Sequence, residues 1–450
     1  MGVIFLVVFA LAEIALVVLT FTKFGDMKSW LKNRAIIRAT EVILLLCAIL
    51  LPTTHMKWRF FFALGIVSVR FLFDGIMWLI KHKNASGMKK KPWSIINCIL
   101  SVFLIAFALV PAFIFTNYNG LGTTGEYRIA EADVIFVDES REDPFENDGS
   151  FREVPAHFYY PEDAKGECPL VLFSHGAFGY YQSNYSTYAE LASHGYVVVA
   201  LDHPHHSFFT EDTDGNIVTV DTEFINSVMV INEETAGEKV FDLTHEWLKL
   251  RVDDEKFVLD SIKEAKDTGS LHNVWHKEDA DDLVNVLSHI DLEKIGLIGH
   301  SLGGASSVAL GRTYDDIDAA IDLDGTMFGE IIEVKNGKDI YNSEPYPIPV
   351  LDFTKESDYN EREQYQNDYG YPYVNEYVTE NAKVSKTVVF TGAGHMDFTD
   401  LPLFSPFLSK MLGSGDVDHE EMMRTVNQIV LNWFDYYLKN EGTLDFKAQY

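Results

Sequence analysis

A serine between paired glycines carries the strongest chemical signal in the sequence, in the segment Gly299-His300-Ser301-Leu302-Gly303-Gly304. The apolar run Ile295 to Ile298 precedes it and a run of small residues follows, which predicts a strand, an abrupt turn and a helix. This is the arrangement of a G-x-S-x-G nucleophile elbow, in which glycines let the strand and helix pack closely while the serine hydroxyl is held exposed. Ser301 is therefore the candidate nucleophile for acyl transfer.

The nucleophile needs a base, because a serine hydroxyl reacts poorly until a positioned group takes its proton. His395 follows the last predicted strand, Lys386 to Thr391, after the small residues Gly392-Ala393-Gly394. The order serine, acid, histidine is the chain order of α/β-hydrolases, in which each group lies on a loop at the carboxyl end of a strand. Among the 15 histidines, His395 is the candidate base.

Residue spacing alone does not identify the acid. Asp324 ends the predicted strand Ala319 to Leu323, which follows the elbow, whereas Asp352 and Asp358 come with and after the next predicted strand. Both positions are compatible with a loop at the carboxyl edge of a sheet. All three aspartates are candidates at this point.

An oxyanion hole requires two backbone N–H donors near the nucleophile. Leu302, directly after the serine, is expected to supply one. The other is expected from the loop after the predicted strand Pro169 to Phe173, where Ala177 follows His175-Gly176. This chemistry needs no metal and no cofactor, and none is predicted.

The elements around these residues alternate between strands and helices from about residue 131 onward. Such alternation predicts a mostly parallel sheet with helices on both faces. Residues 203–237 interrupt it with His203-Pro204-His205-His206; no metal-site spacing accompanies the histidines, so the segment is interpreted as an active-site loop insertion. A long amphipathic helix is predicted from Lys239 to Asp267, and its Arg251, Asp253 and Asp254 are expected to be structural.

Charge divides the chain near residue 116. Of 36 Lys and Arg and 67 Asp and Glu in the whole chain, 13 and 4 fall within residues 1–116, so the remainder is strongly acidic. An acidic domain of this kind argues against nucleic acid as a partner, because the phosphates would be repelled.

Four apolar stretches precede the acidic part and predict a four-helix transmembrane domain over residues 1–116. They cover roughly 3–22, 35–54, 60–80 and 93–115, each about the 20 residues that cross a bilayer. Arg70 and Asp74 are one helical turn apart and are expected to neutralise each other, with Glu13, Arg38 and Glu41 pairing between helices.

The basic residues between these stretches predict their orientation. Four lie after the first stretch and five after the third, against two after the second, so the first and third loops are expected to be cytoplasmic. With four spans, both termini lie outside the cytoplasm. The predicted organisation is then the membrane domain, a Gly/Thr linker at 117–130 and an extracytoplasmic α/β-hydrolase domain at 131–450.

Four motifs, in this order, resemble the platelet-activating factor acetylhydrolases over roughly residues 150–440: Ser174-His175-Gly176, the elbow, Leu323-Asp324-Gly325-Thr326-Met327-Phe328 and Gly394-His395-Met396-Asp397-Phe398-Thr399-Asp400. That family is an α/β-hydrolase group that cleaves short or oxidised sn-2 acyl chains from phospholipids without calcium. The resemblance implies Ser301 as nucleophile, Asp324 as acid and His395 as base. It also implies Ala177 and Leu302 as oxyanion donors.

The expected function is therefore that of a membrane-anchored serine hydrolase of short-chain lipid esters, with the bilayer as its partner. The aromatic segments Phe178-Gly179-Tyr180-Tyr181 and Phe208-Phe209 are expected to wall the ester pocket. One alternative is a general carboxylesterase or polyester hydrolase. An alternative of another class is a non-catalytic membrane receptor or accessory protein, against which the complete Ser301, Asp324 and His395 set argues.

Overall fold

The structure is a computed structural model that describes residues 1–22, 25–233, 237–269, 274–276 and 286–450. The chain divides into two units by its internal contacts. Met1–Gly120 and Leu401–Met411 form the first unit, and Leu121–Asp400 and Leu412–Tyr450 form the second. Within the first unit, the N–H of Thr116 donates to the carbonyl of Phe404 at 2.8 Å.

Helices make up the first unit. Those before residue 120 are α1 (Gly2–Leu19), α2 (Met27–Leu50), α3 (Phe61–Lys81), α4 (Lys91–Ala108) and the short α5 (Val110–Ile114), and two further short helices are Leu401–Phe404 and Pro406–Met411. Asp26 caps α2 by accepting a hydrogen bond from the Ser29 N–H at 2.9 Å. Phe9, Leu45 and Phe60 are buried where the helices meet.

Within the described residues, three helices are long and apolar enough to cross a membrane: Gly2–Leu19, Lys57–Lys81 and Lys91–Ala108. Helix α2 overlaps the second predicted span, but it is not among them, and it carries Arg34, Arg38 and Glu41. The four-span arrangement therefore stays a prediction.

A buried ionic cluster joins α1, α2 and α3. Arg38 pairs with Glu13 of α1, between helices as expected, whereas its pair with Glu41 lies within α2. The expected pair of Arg70 with Asp74 is wrong: Arg70 pairs with Glu13 at 2.7 Å, and Asp74 pairs with Arg34 at 2.6 Å. Partners on neighbouring helices neutralise these charges, so the cluster links helices to one another.

Thirteen strands are found in the described part of the second unit. They are β1 (Ile129–Glu142), β2 (Phe151–Pro161), β3 (Cys168–Ser174), β4 (Val197–Leu201), β5 (Phe209–Glu211), β6 (Ile217–Thr219), β7 (Val274–His276), β8 (Ile290–His300), β9 (Ala319–Leu323), β10 (Ile331–Lys335), β11 (Lys338–Tyr341), β12 (Val350–Lys355) and β13 (Ser385–Phe390). Nine of them form one sheet in the order β13-β12-β9-β8-β3-β4-β2-β1-β7. The six strands from β13 to β4 pair in parallel, and β2, β1 and β7 add antiparallel pairs at one edge. The predicted mostly parallel sheet is confirmed.

Helices cover both faces of this sheet. Helices of the second unit are α6 (Tyr185–Ser193), α7 (Thr222–Glu233), α8 (Glu238–Thr268), α9 (Leu302–Thr313), α10 (Glu356–Tyr369), α11 (Val374–Asn381) and α12 (His419–Leu438). Alternate residues of β3 point to opposite sides: Leu172 packs in the cluster that holds Val258 of α8, and Val171 in the cluster that holds Trp433 of α12. The sheet is thus the central layer between two helical layers.

The predicted insertion at 203–237 has structure of its own. It holds the hairpin β5–β6 and the helix α7, and its residues 234–236 lie outside the described residues. The long predicted helix is confirmed as α8.

Parallel pairing places the ends of the strands that precede the candidate site residues at one edge of the sheet. Ser174 of β3 pairs with Gly299 of β8, and His300 of β8 pairs with Leu323 of β9. The next pair, Leu323 with Phe353 of β12, continues the same edge. The loops after these strands therefore share the carboxyl edge of the sheet, where α/β folds place their ligands.

Candidate active site

The turn between β8 and α9 holds Ser301 in a strained conformation. Its φ is 56° and its ψ is −121°, a region that residues with a side chain rarely adopt. The neighbouring glycines make the turn possible, because a Cβ on Gly299 would lie 2.2 Å from the Gly303 carbonyl and one on Gly303 would lie 2.0 Å from the Ser174 carbonyl oxygen. The Ser301 N–H donates to the Leu323 carbonyl at 2.9 Å, which ties the turn to the end of β9. This is the geometry that the G-x-S-x-G pattern predicts.

Asp324 lies directly after β9 and contacts the candidate base. Its Oδ2 accepts a hydrogen bond from Nδ1 of His395 at 2.7 Å, and its Oδ1 accepts one from the Lys355 N–H at 3.0 Å. The carboxylate is buried, with 2% of its side chain exposed. Burial by itself would raise the pKa of Asp324, but the hydrogen bond and charge of His395, with Lys355, hold it below its ordinary value. The acid is thus kept ionised beside the imidazole.

The other two candidate aspartates have different partners. Asp352 is fully buried and pairs with Arg362 at 2.8 Å. Asp358 is about half exposed and pairs with Lys355. In the part of the chain that the structure describes, neither contacts His395, so Asp324 is the one of the three candidates that is hydrogen-bonded to the histidine.

His395 is held close to Ser301 through the elbow histidine. Nε2 of His300 donates to the His395 carbonyl at 3.1 Å, and the two rings lie 4.6 Å apart. Burial, followed by the charge of His395, lowers the pKa of His300 to about 3, which keeps it neutral. The described contacts include no hydrogen bond between Ser301 Oγ and His395 Nε2; such bonds are often long in a free enzyme and tighten in the substrate complex.

The candidate oxyanion donors lie on two sides of the serine. Leu302 begins α9, so its N–H has no acceptor within the helix. On the other side, a Cβ on Gly176 would lie 3.2 Å from Ser301 Cβ, which shows that the loop before Ala177 runs against the nucleophile. The next residue, Phe178, has a φ of 62°. The loop after β3 and the turn at Ser301 thus each contain a residue with positive φ, and the two segments lie in close contact at Gly176.

Two histidines of the predicted active-site loop insertion, His203 and His206, are buried side chains. His203 is fully buried: its Nε2 bonds Ser174 Oγ at 2.9 Å and its Nδ1 bonds Asp254 Oδ2 at 3.1 Å. His206 is also buried, and its carbonyl accepts the Phe178 N–H at 3.1 Å. Burial, and next the charge of Arg251, lowers the pKa of His203 to about 4, so it is neutral. These two histidines form hydrogen bonds with the end of β3 and with the loop that follows it.

No cluster of three His, Cys, Asp or Glu residues suited to a metal ion occurs among the residues whose positions are described.

Aromatic side chains of the two predicted wall segments do come together. The Tyr180 and Phe209 rings are 5.4 Å apart, and Phe208 and Phe209 are 5.8 Å apart. Phe178, Phe208 and Phe209 are all substantially exposed. Exposed aromatic surface at the carboxyl edge is suited to an apolar ligand.

One residue of the site environment escaped the sequence reasoning. Arg251 of α8 was expected to be structural, but its guanidinium contacts the carbonyls of His175 and Gly176, directly before Ala177. The available signal was its place on the buried stripe of α8, four residues after Trp247 and three before Asp254. A charged residue on such a stripe needs a specific partner, which periodicity alone does not identify.

Comparison with known proteins matches residues 149–447 to the family described as platelet-activating factor acetylhydrolase, isoform II. The platelet-activating factor acetylhydrolase of Bos taurus is 26% identical over 291 residues, covering 62% of this chain and 59% of that protein. The Cavia porcellus protein of the same name is 25% identical over 304 residues, covering 65% and 63%. The chain thus spans about three fifths of the length of these relatives.

A solved structure of ferulic acid esterase from Streptomyces cinnamoneus has the same fold. Its TM-score is 0.54 at 20% identity, and the match covers 72% of this chain and 95% of the esterase chain.

Proposed function

The chain belongs to the platelet-activating factor acetylhydrolase isoform II family, a family of carboxylic ester hydrolases, and from this premise we propose that it hydrolyses lipid esters with short acyl chains at Ser301. Asp324 and His395 complete the proposed triad, and the N–H groups of Ala177 and Leu302 form the proposed oxyanion hole. The single observation that carries this proposal is the 2.7 Å bond from His395 to the buried Asp324, beside a serine in a strained turn.

The first half of the proposed reaction is acylation. Nε2 of His395 takes the proton of Ser301 Oγ as the oxygen attacks the ester carbonyl carbon. Asp324 holds Nδ1, fixes the imidazole orientation and stabilises its positive charge. The negative oxygen of the tetrahedral intermediate accepts the two backbone N–H groups, and the protonated His395 then gives its proton to the departing alcohol oxygen.

The second half removes the acyl group. His395 takes a proton from a water molecule whose oxygen attacks the acyl carbon, and the intermediate is held by the same donors. Collapse breaks the bond to Ser301 Oγ, which regains a proton from His395. The products are a carboxylic acid and free enzyme, with no metal in any step.

The apolar helices of the first unit support membrane anchoring. Three of them are long and apolar enough to span, and the sequence predicts a fourth. An enzyme tethered to a bilayer meets lipid esters at a high local concentration, as linked modules meet their partners. We therefore place the proposed catalytic domain at the extracytoplasmic face, as the basic loops predict.

The test is a comparison of acyl chains on the full-length protein in phospholipid vesicles. Initial rates are measured on acetyl, butyryl and palmitoyl sn-2 phospholipids, with and without a calcium chelator, and Ser301→Ala serves as the inactive control. We expect acetyl and butyryl lipids to react faster than palmitoyl lipid, because a short chain leaves the bilayer more easily, and we expect the chelator to have no effect. Equal rates across the series, or activity on water-soluble esters alone, would indicate a general carboxylesterase instead.

A further inference from the structure

A buried arginine lies beneath the loop that carries Ala177. Arg251 has no measurable exposure, and among the described residues no carboxylate lies within ion-pairing distance of its guanidinium. A buried cation without a paired anion is costly, because its hydration is lost without a full electrostatic return. Burial accordingly lowers the pKa of Arg251 to about 9, although Glu255 and Asp254 counteract it. The free-energy cost of burying Arg251 therefore has to be offset by the contacts that its guanidinium makes.

The guanidinium is directed at main-chain oxygen atoms. Nη1 donates to the His175 carbonyl, and Nη2 lies 3.4 Å from the Gly176 carbonyl. Nη1 also lies 3.4 Å from Ser174 Oγ, and Nε lies 3.5 Å from Nδ1 of His206. The principal contacts of this cation are thus two consecutive peptide groups.

The second of these peptide groups carries the candidate oxyanion donor. The Gly176 carbonyl and the Ala177 N–H belong to one trans peptide, in which they point in opposite directions. The same carbonyl also accepts Nδ1–H of His175 at 2.6 Å and the Gly179 N–H at 3.0 Å. Its direction is therefore fixed by three donors, and none of the described contacts occupies the Ala177 N–H.

A buried polar network holds Arg251 itself in place. Ser174 Oγ contacts His203 at 2.9 Å and Ser306 Oγ at 3.2 Å. His203 continues to Asp254, which pairs with Arg152 at 2.8 Å. The serine, histidine and aspartate in this chain are each at most 1% exposed, so they cannot meet a substrate and act as a scaffold.

We propose that Arg251 is a positioning residue for the oxyanion hole: by holding the carbonyls of His175 and Gly176, it aims the Ala177 N–H at the substrate oxyanion and polarises that peptide. This inference rests on the proposed ester hydrolysis. A cation at the carbonyl end of a peptide strengthens the N–H dipole at the other end, since hydrogen bonds in a chain polarise one another. The stronger N–H donor stabilises the transition state most, because negative charge develops on the substrate oxygen there. Arg251 should therefore affect the rate of the chemical step and not the binding of substrate.

The test uses full-length protein in detergent with a soluble acetyl ester. Arg251→Lys keeps the charge without the planar fork, and Arg251→Gln keeps amide donors without the charge. Arg312→Gln is the matched control, because Arg312 also donates to a main-chain carbonyl, that of Pro345 at 2.8 Å, at the far end of α9. Fluorophosphonate titration counts the competent sites, so a variant that folds in part remains measurable.

We expect each Arg251 variant to lower kcat by about 10- to 100-fold, less than complete loss of an oxyanion donor, with KM changed less than about twofold. The inhibition constant of a trifluoromethyl ketone, which forms a tetrahedral oxyanion with the serine, should weaken by a similar factor. Arg312→Gln should leave kcat per competent site and inhibitor affinity unchanged. A purely structural arginine would alter thermal stability and the fraction of competent sites only.

Two outcomes would overturn the inference, and they differ. If the wild type hydrolyses esters and the Arg251 variants keep both kcat per competent site and inhibitor affinity, the positioning role is wrong and the proposed function stands. If the wild type hydrolyses no ester and its Ser301 is not labelled, the proposed function fails and this inference fails with it.

Discussion

Nδ1 of His395 and Oδ2 of Asp324 are 2.7 Å apart, although 71 residues separate them in the chain. The contact exists because β9 and β12 pair in parallel and β13 lies beside β12, so the loops after β9 and β13 reach the same edge of the sheet. It leaves Nε2 of His395 as the ring nitrogen available to Ser301. Each element of the proposed triad thus depends on strand register as well as on residue type.

The choice of acid predicts a ranking of two variants. Asp324→Asn should lower kcat by about 10⁴-fold, as expected when the partner that orients a catalytic histidine is lost. Asp358→Asn is the matched control, because Asp358 lies in the first turn of α10, after β12, and its ion pair is with Lys355. It should retain kcat within about threefold, as expected for a surface pair of little energetic weight. Steady-state kinetics on a soluble ester compare the two variants, and the reverse ranking would assign the role of acid to Asp358 instead.

The assignment of Ser301 as nucleophile predicts that covalent labelling is lost when this residue is replaced. Ser301→Ala should abolish both fluorophosphonate labelling and ester hydrolysis while the thermal midpoint stays close to that of the wild type, because alanine removes one oxygen atom from the turn. Mass spectrometry of the labelled wild type identifies the modified serine. Unchanged activity in the variant, with label on another serine, would rule out the assignment.

Local patterns were sufficient to predict the strand, turn and helix around Ser301, because its flanking glycines and apolar run lie within a dozen residues. Local patterns could not choose between the candidate acids, since Asp324 and Asp352 both accompany strands of the same parallel edge and only Asp324 contacts His395. The partner expected for Arg70 was wrong for a similar reason. Helical spacing allowed a bond to Asp74, but the neighbouring α1 offers Glu13.

The loop after β4 shows a further limit of sequence reasoning. Histidines next to a proline at a strand end are typical of an exposed loop, yet His203 is buried. Its partners are Ser174, on an adjacent strand, and Asp254, on α8. Neither is near in sequence, so the burial could not be predicted from local composition.

His157 predicts a pH dependence of stability. It lies between two carboxylates, with Nδ1 2.6 Å from Asp133 and Nε2 3.4 Å from Asp202. Burial would lower its pKa, but the hydrogen bond to Asp133 and the nearby carboxylate of Asp202 raise the pKa from 6.5 to about 9. A raised histidine pKa gives stability that is fully present below pH 6.5 and is lost as the pH rises through 9. Because Asp133 is largely exposed and screened, we expect this contribution to be about 2 kcal/mol.

Thermal unfolding between pH 6 and pH 9.5 measures this contribution. The wild-type midpoint should fall more steeply with rising pH than that of His157→Gln, which has no proton to lose. The two midpoints should approach each other at the alkaline end. Parallel curves would show that His157 is not protonated in the folded protein.

The predicted membrane topology can be tested by labelling three introduced cysteines with a thiol reagent. The native Cys47 and Cys98 lie in helices of the first unit and Cys168 is buried, so a variant without these three provides a clean background. A reagent that cannot cross membranes is applied to intact cells. A cysteine at Gly120 should be labelled and one at Asn84 should not, because α4 separates these positions and five basic residues lie between the third and fourth predicted spans.

A cysteine at Thr22 decides whether α2 crosses the bilayer. Helix α2 has 24 residues, about 36 Å at the usual rise, which is enough for a hydrocarbon core of about 30 Å. Its charges at Arg38 and Glu41 are buried and paired, which reduces the cost of placing them in lipid. We therefore expect α2 to span, which puts Thr22 on the cytoplasmic side and unlabelled. Labelling at both Thr22 and Gly120 would leave three spans, with α2 outside the bilayer and the N-terminus in the cytoplasm, while the catalytic domain would keep its predicted side.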